Sequence, residues 1–252
     1  MAAAIAAVTL ALGFGASPVG ATRVAEPPVS QQVAPTAVPR TLADGDLARG
    51  STTLWAHPAR EAAIRRRPAR RAHRITSTRY VTEDGFPEVY PALRQITDRG
   101  GRVWIRVRIP MRPNGRTGWV RRSALGPLYR VHTKLIVNRG RGRAALYNRG
   151  RRIWKAPVGT GKPATPTPAG RHWIREKFRT HDPNGPYGPF AFGTSDYSVL
   201  TDWPGGGVIG IHGTDEPALI PGRPSHGCIR VRNQALRRLW QLLPIGTPLT
   251  IR

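Results

Sequence analysis

The chain has 252 residues, with 40 basic side chains against 14 acidic ones, a net charge of +26, and is rich in Gly (28) and Pro (25). That length holds one large or two modest domains with a sizeable core. Many turn formers beside short apolar runs favour a mainly β protein over a helical bundle, and past the N-terminus no run reaches the roughly 20 apolar residues of a membrane-spanning helix.

Residues 1–21 read as an export signal or N-terminal anchor. Met1 to Ala16 are almost wholly small and apolar, and Val19-Gly20-Ala21 offers a cleavage site, although no Lys or Arg precedes the apolar stretch. Residues 22–72 carry Pro27, Pro28, Pro35, Pro39, Pro58 and Pro68, few aromatics, and the basic knot Arg65-Arg66-Arg67-Pro68-Ala69-Arg70-Arg71. Such a composition predicts a disordered linker.

Folded sequence is expected from about residue 78. Arg102 to Ile109 alternates apolar with large or basic residues at the period of a half-buried strand. Pro113-Asn114-Gly115 then turns the chain into Thr117-Gly118-Trp119-Val120. Residues 78–125 together resemble a bacterial SH3-like barrel.

A second β-rich unit spans 129–252. Leu135-Ile136-Val137, Ala144 to Tyr147 and Ile153 to Val158 are strand candidates, with a turn at Asn148-Arg149-Gly150. Thr165-Pro166-Thr167-Pro168-Ala169-Gly170 must be a loop, because closely spaced prolines remove ladder donors. Val208 to Ile211 is a buried strand ending at His212. Asn233 is the expected cap of a helix whose Leu236, Leu239, Trp240 and Leu243 share a face, Pro244 stops it, and Thr247 to Ile251 closes the sheet.

The excess charge invites a nucleic-acid reading. The basic residues are, however, spread over the whole chain; only Lys134, Lys155, Lys162 and Lys177 are Lys, so the other 36 are Arg. No recognition helix, zinc finger or RNA-binding signature accompanies them, and an exported protein seldom meets nucleic acid. Attraction to anionic cell-wall polymers is the more economical reading.

The chain has one cysteine, Cys228, which therefore forms no internal disulfide. A lone cysteine commonly serves as a small buried hydrophobe. This one ends Ser225-His226-Gly227-Cys228 and lies sixteen positions after His212 in Ile211-His212-Gly213-Thr214. Two histidines supply a base and polar surroundings for a thiol, and glycines after each permit tight turns or close backbone approach. Catalysis is the leading reading.

Ile211-His212-Gly213-Thr214 followed by Gly222-Arg223-Pro224-Ser225-His226-Gly227-Cys228-Ile229-Arg230-Val231 resembles the signature of L,D-transpeptidases, the YkuD-type catalytic domain of bacterial cell-wall enzymes. The loop at 165–170 resembles a second landmark of that family. The resemblance covers about 129–252 and implies a β-sandwich-like catalytic domain with a short helix in its C-terminal half. It also implies that Cys228 attacks the carbonyl between the diamino acid of a peptidoglycan stem peptide and its terminal D-alanine. D-alanine leaves, a thioester holds the stem, and an amine of a neighbouring stem completes a 3→3 cross-link without metal or cofactor.

In that scheme His212 is proton acceptor and donor, oriented by a backbone carbonyl such as that of Gly213, with His226 supporting. The backbone N–H groups of Gly227 and Cys228 are the expected oxyanion donors. Ser225 either bonds its own turn or joins the site. Arg230 either grips a stem carboxylate or faces solvent, and Tyr187 and Trp203 either line the cleft or serve as core or lid. Three rival readings stand beside cross-linking: L,D-carboxypeptidase, stem exchange or protein attachment on the same thiol; a metal site, which lacks further ligands; and a non-catalytic wall-binding protein.

Overall fold

Short β runs that bury one face must pair to satisfy their backbone groups, and they do so in two sheets. The structure, a computed structural model, describes residues 37–38, 42–48, 50–202 and 204–252. The expected export signal at 1–21 and the first part of the expected linker lie outside the described residues.

The N-terminal sheet contains β1 (Gly45–Asp46), β2 (Thr53–Ala56), β3 (Ala63–Arg65), β4 (Arg74–Ser77), β5 (Tyr90–Thr97), β6 (Val103–Arg108), β7 (Thr117–Arg121) and β8 (Tyr129–Val131). Their order is β4-β3-β7-β6-β5-β2-β8, with β1 also pairing β5. Within β6, Ile105 and Val107 enter a core with Leu54, Ile64, Tyr90 and Val120. Trp104 points the other way yet is buried too, its indole donating to Asp98 Oδ2 at 3.0 Å and its ring covered by the Arg121 guanidinium.

Two sequence expectations change here. The linker assignment already fails before residue 50: Val38 and Leu47 enter the N-terminal core and β1 pairs with β5, while Leu54, Trp55, Ala56 and Ile64 are buried and β2 pairs with both β5 and β8. A four-residue apolar strand suffices when both edges are paired, and its signal was diluted by the surrounding Pro and Arg. The basic knot is the tip of the β3–β4 hairpin. Residues 78–125 supply β5, β6 and β7, but the sheet is completed by strands on either side of that span.

The C-terminal sheet comprises β9 (Thr133–Asn138), β10 (Arg143–Asn148), β11 (Arg151–Gly161), β12 (Gly170–Trp173), β13 (Phe178–Arg179), β14 (Phe190–Tyr197), β15 (Val208–His212), β16 (Gly222–Ser225), β17 (Ile229–Val231) and β18 (Pro248–Ile251). The order is β12-β18-β9-β10-β11-β17-β15-β14-β13, with β16 beside β11. One helix, α1 (Asn233–Leu242), buries Leu236 and Leu239 fully and stacks Trp240 on Phe190, ring centroids 4.4 Å apart. Arg232, not Asn233, occupies the cap position. The Asn233 side chain accepts instead from the Thr214 N–H at 2.9 Å, so it serves the loop after β15 rather than its own helix. Among the described residues no helix is long and apolar enough to cross a membrane.

The two sheets are joined by a buried ionic cluster. Arg175, 1 % exposed, donates to both oxygens of Glu88 and to Glu83, while Arg79 bonds the same two carboxylates and the Tyr197 hydroxyl. Breaking such a cluster strands a buried charge, which is costly.

Candidate active site

Strand register brings the cysteine and the first histidine together. β15 and β17 run parallel with Ile211 opposite Ile229, so Cys228, one residue before β17, sits beside Gly210. The Gly210 N–H donates to Cys228 Sγ at 3.3 Å. A Cβ placed on Gly210 would lie 3.8 Å from that sulfur and 3.7 Å from His212 Cδ2, so thiol and imidazole flank the same point above the strand.

The tautomer of His212 follows from its partner. Its Nδ1 lies 2.7 Å from the Gly213 carbonyl oxygen, which can only accept, so Nδ1 carries the proton and Nε2, next to Cδ2, is the free base. Burial lowers the imidazole to about 4, against the pull of the Gly213 carbonyl in the other direction, with Arg230 adding to the lowering. Burial likewise raises the Cys228 thiol; the Gly210 N–H opposes this, Asp196 adds to it and Arg230 opposes it. The resting pair is therefore neutral thiol and neutral imidazole, rather than the preformed thiolate that histidine proximity alone suggests.

Gly213 is held from three sides. Its N–H donates to the Tyr187 carbonyl at 2.7 Å, and a Cβ there would collide with the Asn233 side chain and the Gly188 backbone. Glycine is required for this close approach, which fixes the carbonyl that orients His212.

The Ser225–Cys228 turn is braced from within and behind. The Ser225 hydroxyl donates to the Cys228 carbonyl at 2.6 Å and accepts from the Gly227 N–H at 3.2 Å, so Ser225 bonds its own turn. The Gly227 N–H is thereby engaged, and the expectation that it faces a reacting oxygen is corrected. Gly227 has φ +129°, a conformation that favours glycine, and a Cβ there would press on Ile209. Behind it, the buried Thr167 hydroxyl donates to the Gly227 carbonyl at 2.7 Å and accepts from the Gly161 N–H at 2.9 Å. Thr167 was not among the site residues expected from sequence; its place in the Pro-rich landmark loop was the available signal.

Two clefts meet at Cys228 and His212, and Tyr187 borders both. The larger, about 350 Å³, extends to Asp84, Glu176 and Arg179. The smaller, about 110 Å³, is bordered by Ser198, His226 and Arg230. Tyr187 is a cleft wall, its ring 4.8 Å from that of His212. His226 is exposed beside the thiol turn, and its carbonyl accepts from Ser198 Oγ. Arg230 is neither free for a ligand nor simply solvated, since its Nη1 bonds Glu216 Oε2 at 2.7 Å. Trp203 lies outside the described residues. Among the described residues no three His, Cys, Asp or Glu side chains cluster as metal ligands.

Residues 132–251 match the family model of the L,D-transpeptidase catalytic domain, YkuD. The chain is 32 % identical over 123 residues to the Bacillus subtilis (strain 168) protein that carries the name L,D-transpeptidase YkuD, a match covering 49 % of this chain and 68 % of that one. With the Bacillus licheniformis protein of the same name it shares 34 % identity over 106 residues, 42 % of this chain and 57 % of the relative. Among solved structures, L,D-transpeptidase 3 from Mycobacterium tuberculosis aligns at 12 % identity over 60 % of this chain and 91 % of its own, TM-score 0.40. The catalytic domain from the E. faecium L,D-transpeptidase aligns at 23 % identity over 48 % and 96 %, TM-score 0.36.

Proposed function

The chain belongs to the YkuD-type L,D-transpeptidase family, and from that premise we propose that it joins peptidoglycan stem peptides by two successive acyl transfers through Cys228. The observation that carries this reading is the register-imposed meeting of Cys228 and the Nε2 edge of His212 where two clefts converge. A transferase must admit a donor and an acceptor to one nucleophile.

In the first transfer the Cys228 sulfur attacks the carbonyl that links the diamino acid of a tetrapeptide stem to its terminal D-alanine, while the thiol proton passes to His212 Nε2. A neutral pair makes this transfer concerted with attack, which suits a thiol whose burial resists ionisation. The Gly213 carbonyl steadies the imidazolium that results. The Cys228 backbone N–H is the proposed donor to the developing oxyanion, an effect on the order of 3 kcal/mol per donor. The C–N bond then breaks, His212 returns its proton to the D-alanine nitrogen, and a thioester remains. In the second transfer a side-chain amine of a neighbouring stem attacks the thioester carbonyl, His212 takes the amine proton, and the C–S bond breaks to give the 3→3 amide.

The substrate lies outside the cytoplasm, in keeping with the small apolar segment at 1–21, and the net charge of +26 favours retention at anionic wall polymers. The test is incubation of the purified protein with a disaccharide-tetrapeptide, followed by mass spectrometry of protein and products. A dimer one D-alanine lighter than two donors, with a thioester adduct absent from Cys228→Ala, is the expected result. Free tripeptide alone points to the carboxypeptidase reading, and no adduct at all overturns the nucleophile assignment.

A further inference from the structure

The larger cleft runs from the thiol to two carboxyls that the two-transfer scheme does not use. In a chain with only 14 acidic residues, Asp84 and Glu176 line one cavity together with Cys228. We infer that Asp84 and Glu176 form an anionic subsite that holds the side-chain ammonium group of the acyl donor's diamino acid, an assignment that rests on the donor chemistry proposed above.

Glu176 is 1 % exposed, and neither of its carboxylate oxygens has an aligned hydrogen bond among the described residues. The Thr82 hydroxyl and the Asp84 carboxyl approach it as hydrogen-bonding neighbours, Thr82 and the Arg175 charge favouring its ionised form and Asp84 its protonated form. Glu88, buried in the neighbouring ionic cluster, is by contrast matched by Arg175 and Arg79. Arg175 adjoins Glu176 in sequence yet spends its donors on Glu88 and Glu83. Of the neighbouring cations, Lys177 lies over the face of Trp240, and Arg179, which borders the same cleft, rests over the face of Phe190. Among the described residues no cation lies within ion-pair distance of Glu176 or Asp84. A buried carboxyl left this way costs stability unless something else completes it.

The fold also makes room for it. Gly193 on β14 lies against the Glu176 carboxylate, and any Cβ there would overlap it. Asp84 is carried by the N-terminal sheet's loop, whose neighbouring Glu83 is tied to Arg175 and the Tyr197 hydroxyl. The loop is thus anchored to the wall of the cleft, and Asp84 is its exposed carboxyl there. The occupant these groups fit is a compact cation on a flexible stem. The donor residue has one, and since that amine does not react during acylation, a fixed site can hold it while its carbonyl meets Cys228. Burial and the Asp84 charge raise Glu176 to about 7, so an arriving ammonium also favours its ionised form.

The experiment measures D-alanine release by the full chain from two synthetic tetrapeptides that differ only in acetylation of the diamino acid side-chain amine. The wild type is expected to favour the free amine by about tenfold or more in kcat/KM, the loss expected when a buried charge goes unpaired. In Asp84→Asn and Glu176→Gln the preference falls below about threefold, with KM rather than kcat carrying the change. Equal use of both peptides by the wild type, or an undiminished preference in Asp84→Asn, whose exposed side chain poses little risk to folding, overturns the subsite. Release of D-alanine from neither peptide overturns the donor reading itself, a distinct outcome.

Discussion

The Thr167 hydroxyl donates to the Gly227 carbonyl at 2.7 Å while accepting from the Gly161 N–H at 2.9 Å. One buried side chain thus ties the Pro-rich loop and the end of β11 to the turn that presents the nucleophile. Thr167→Val keeps the shape and removes both bonds, leaving a buried carbonyl and a buried N–H unpaired. The expected cost is about 1–3 kcal/mol of stability, with slower D-alanine release at temperatures where the variant remains folded. Thr167→Ser restores both properties; melting curves beside single-turnover acylation check this.

Proton transfer through His212 predicts an unusual pH profile. With the imidazole lowered to about 4 and the thiol raised by burial, kcat/KM climbs as pH rises through about 4 and stays level across pH 6 to 8. A free imidazole would place that limb near 6.5, and a preformed ion pair would give a bell centred between its two pKa values. His212→Ala is expected to slow acylation by about 100-fold or more, the usual scale of general base catalysis, whereas His226→Ala changes it less. Acylation retained in His212→Ala and lost in His226→Ala would reverse the roles assigned here.

The short-range part of this architecture was readable in the chain. The motif around His212 and Cys228 carried both reactive groups and the turn glycines; apolar alternation located β6, and short continuous apolar runs located β9 and β15. What the chain concealed depends on pairing across long separations. Thr53–Ala56 reads as linker until β5 and β8 supply its partners from 34 or more residues away. Asn233 resembles a helix cap because nothing local shows that Thr214 competes for its oxygen. The Gly227 N–H resembles a free oxyanion donor until the Ser225 hydroxyl is placed. Asp84 was hidden for the same reason, since no local pattern shows that the N-terminal sheet reaches the cleft.

That sheet also positions the far rim of the site through Arg112. Its Nη2 lies 3.1, 3.0 and 2.9 Å from the carbonyl oxygens of Ser198, Leu200 and Gly206, and its guanidinium stacks over Tyr197. Ser198 in turn bonds the His226 carbonyl and borders the smaller cleft. Arg112→Ala removes the cation from three converging carbonyl dipoles, and KM for the donor is expected to rise about three- to tenfold with a smaller change in kcat. Because one nitrogen makes all three contacts, Arg112→Lys should recover most of the loss, which a bidentate guanidinium site would not allow. Steady-state kinetics of the two variants separate these cases.

Asp196 offers a test of stability in which the sign is decisive. The residue is fully buried, its Oδ1 accepts from the Thr194 hydroxyl, and the His172 Nδ1 stands 3.8 Å away. Burial raises its carboxyl from 3.8 to about 7, and burial lowers His172 to about 4, so neither carries a compensating charge near pH 6. Below pH 4 the carboxyl is protonated in both folded and unfolded chains and costs nothing. Between about 4 and 7 the unfolded chain ionises while the folded one does not, so the wild type loses stability as pH rises, and above 7 the deficit is constant. Asp196→Asn escapes this penalty while still offering an oxygen to Thr194. Its stability relative to wild type should therefore grow from near zero at pH 4 to a few kcal/mol, roughly 4 at most, at pH 7.5. Urea unfolding at both pH values measures the difference; a gain that shrinks toward pH 7.5 would show that the folded protein holds this carboxylate ionised and stabilised.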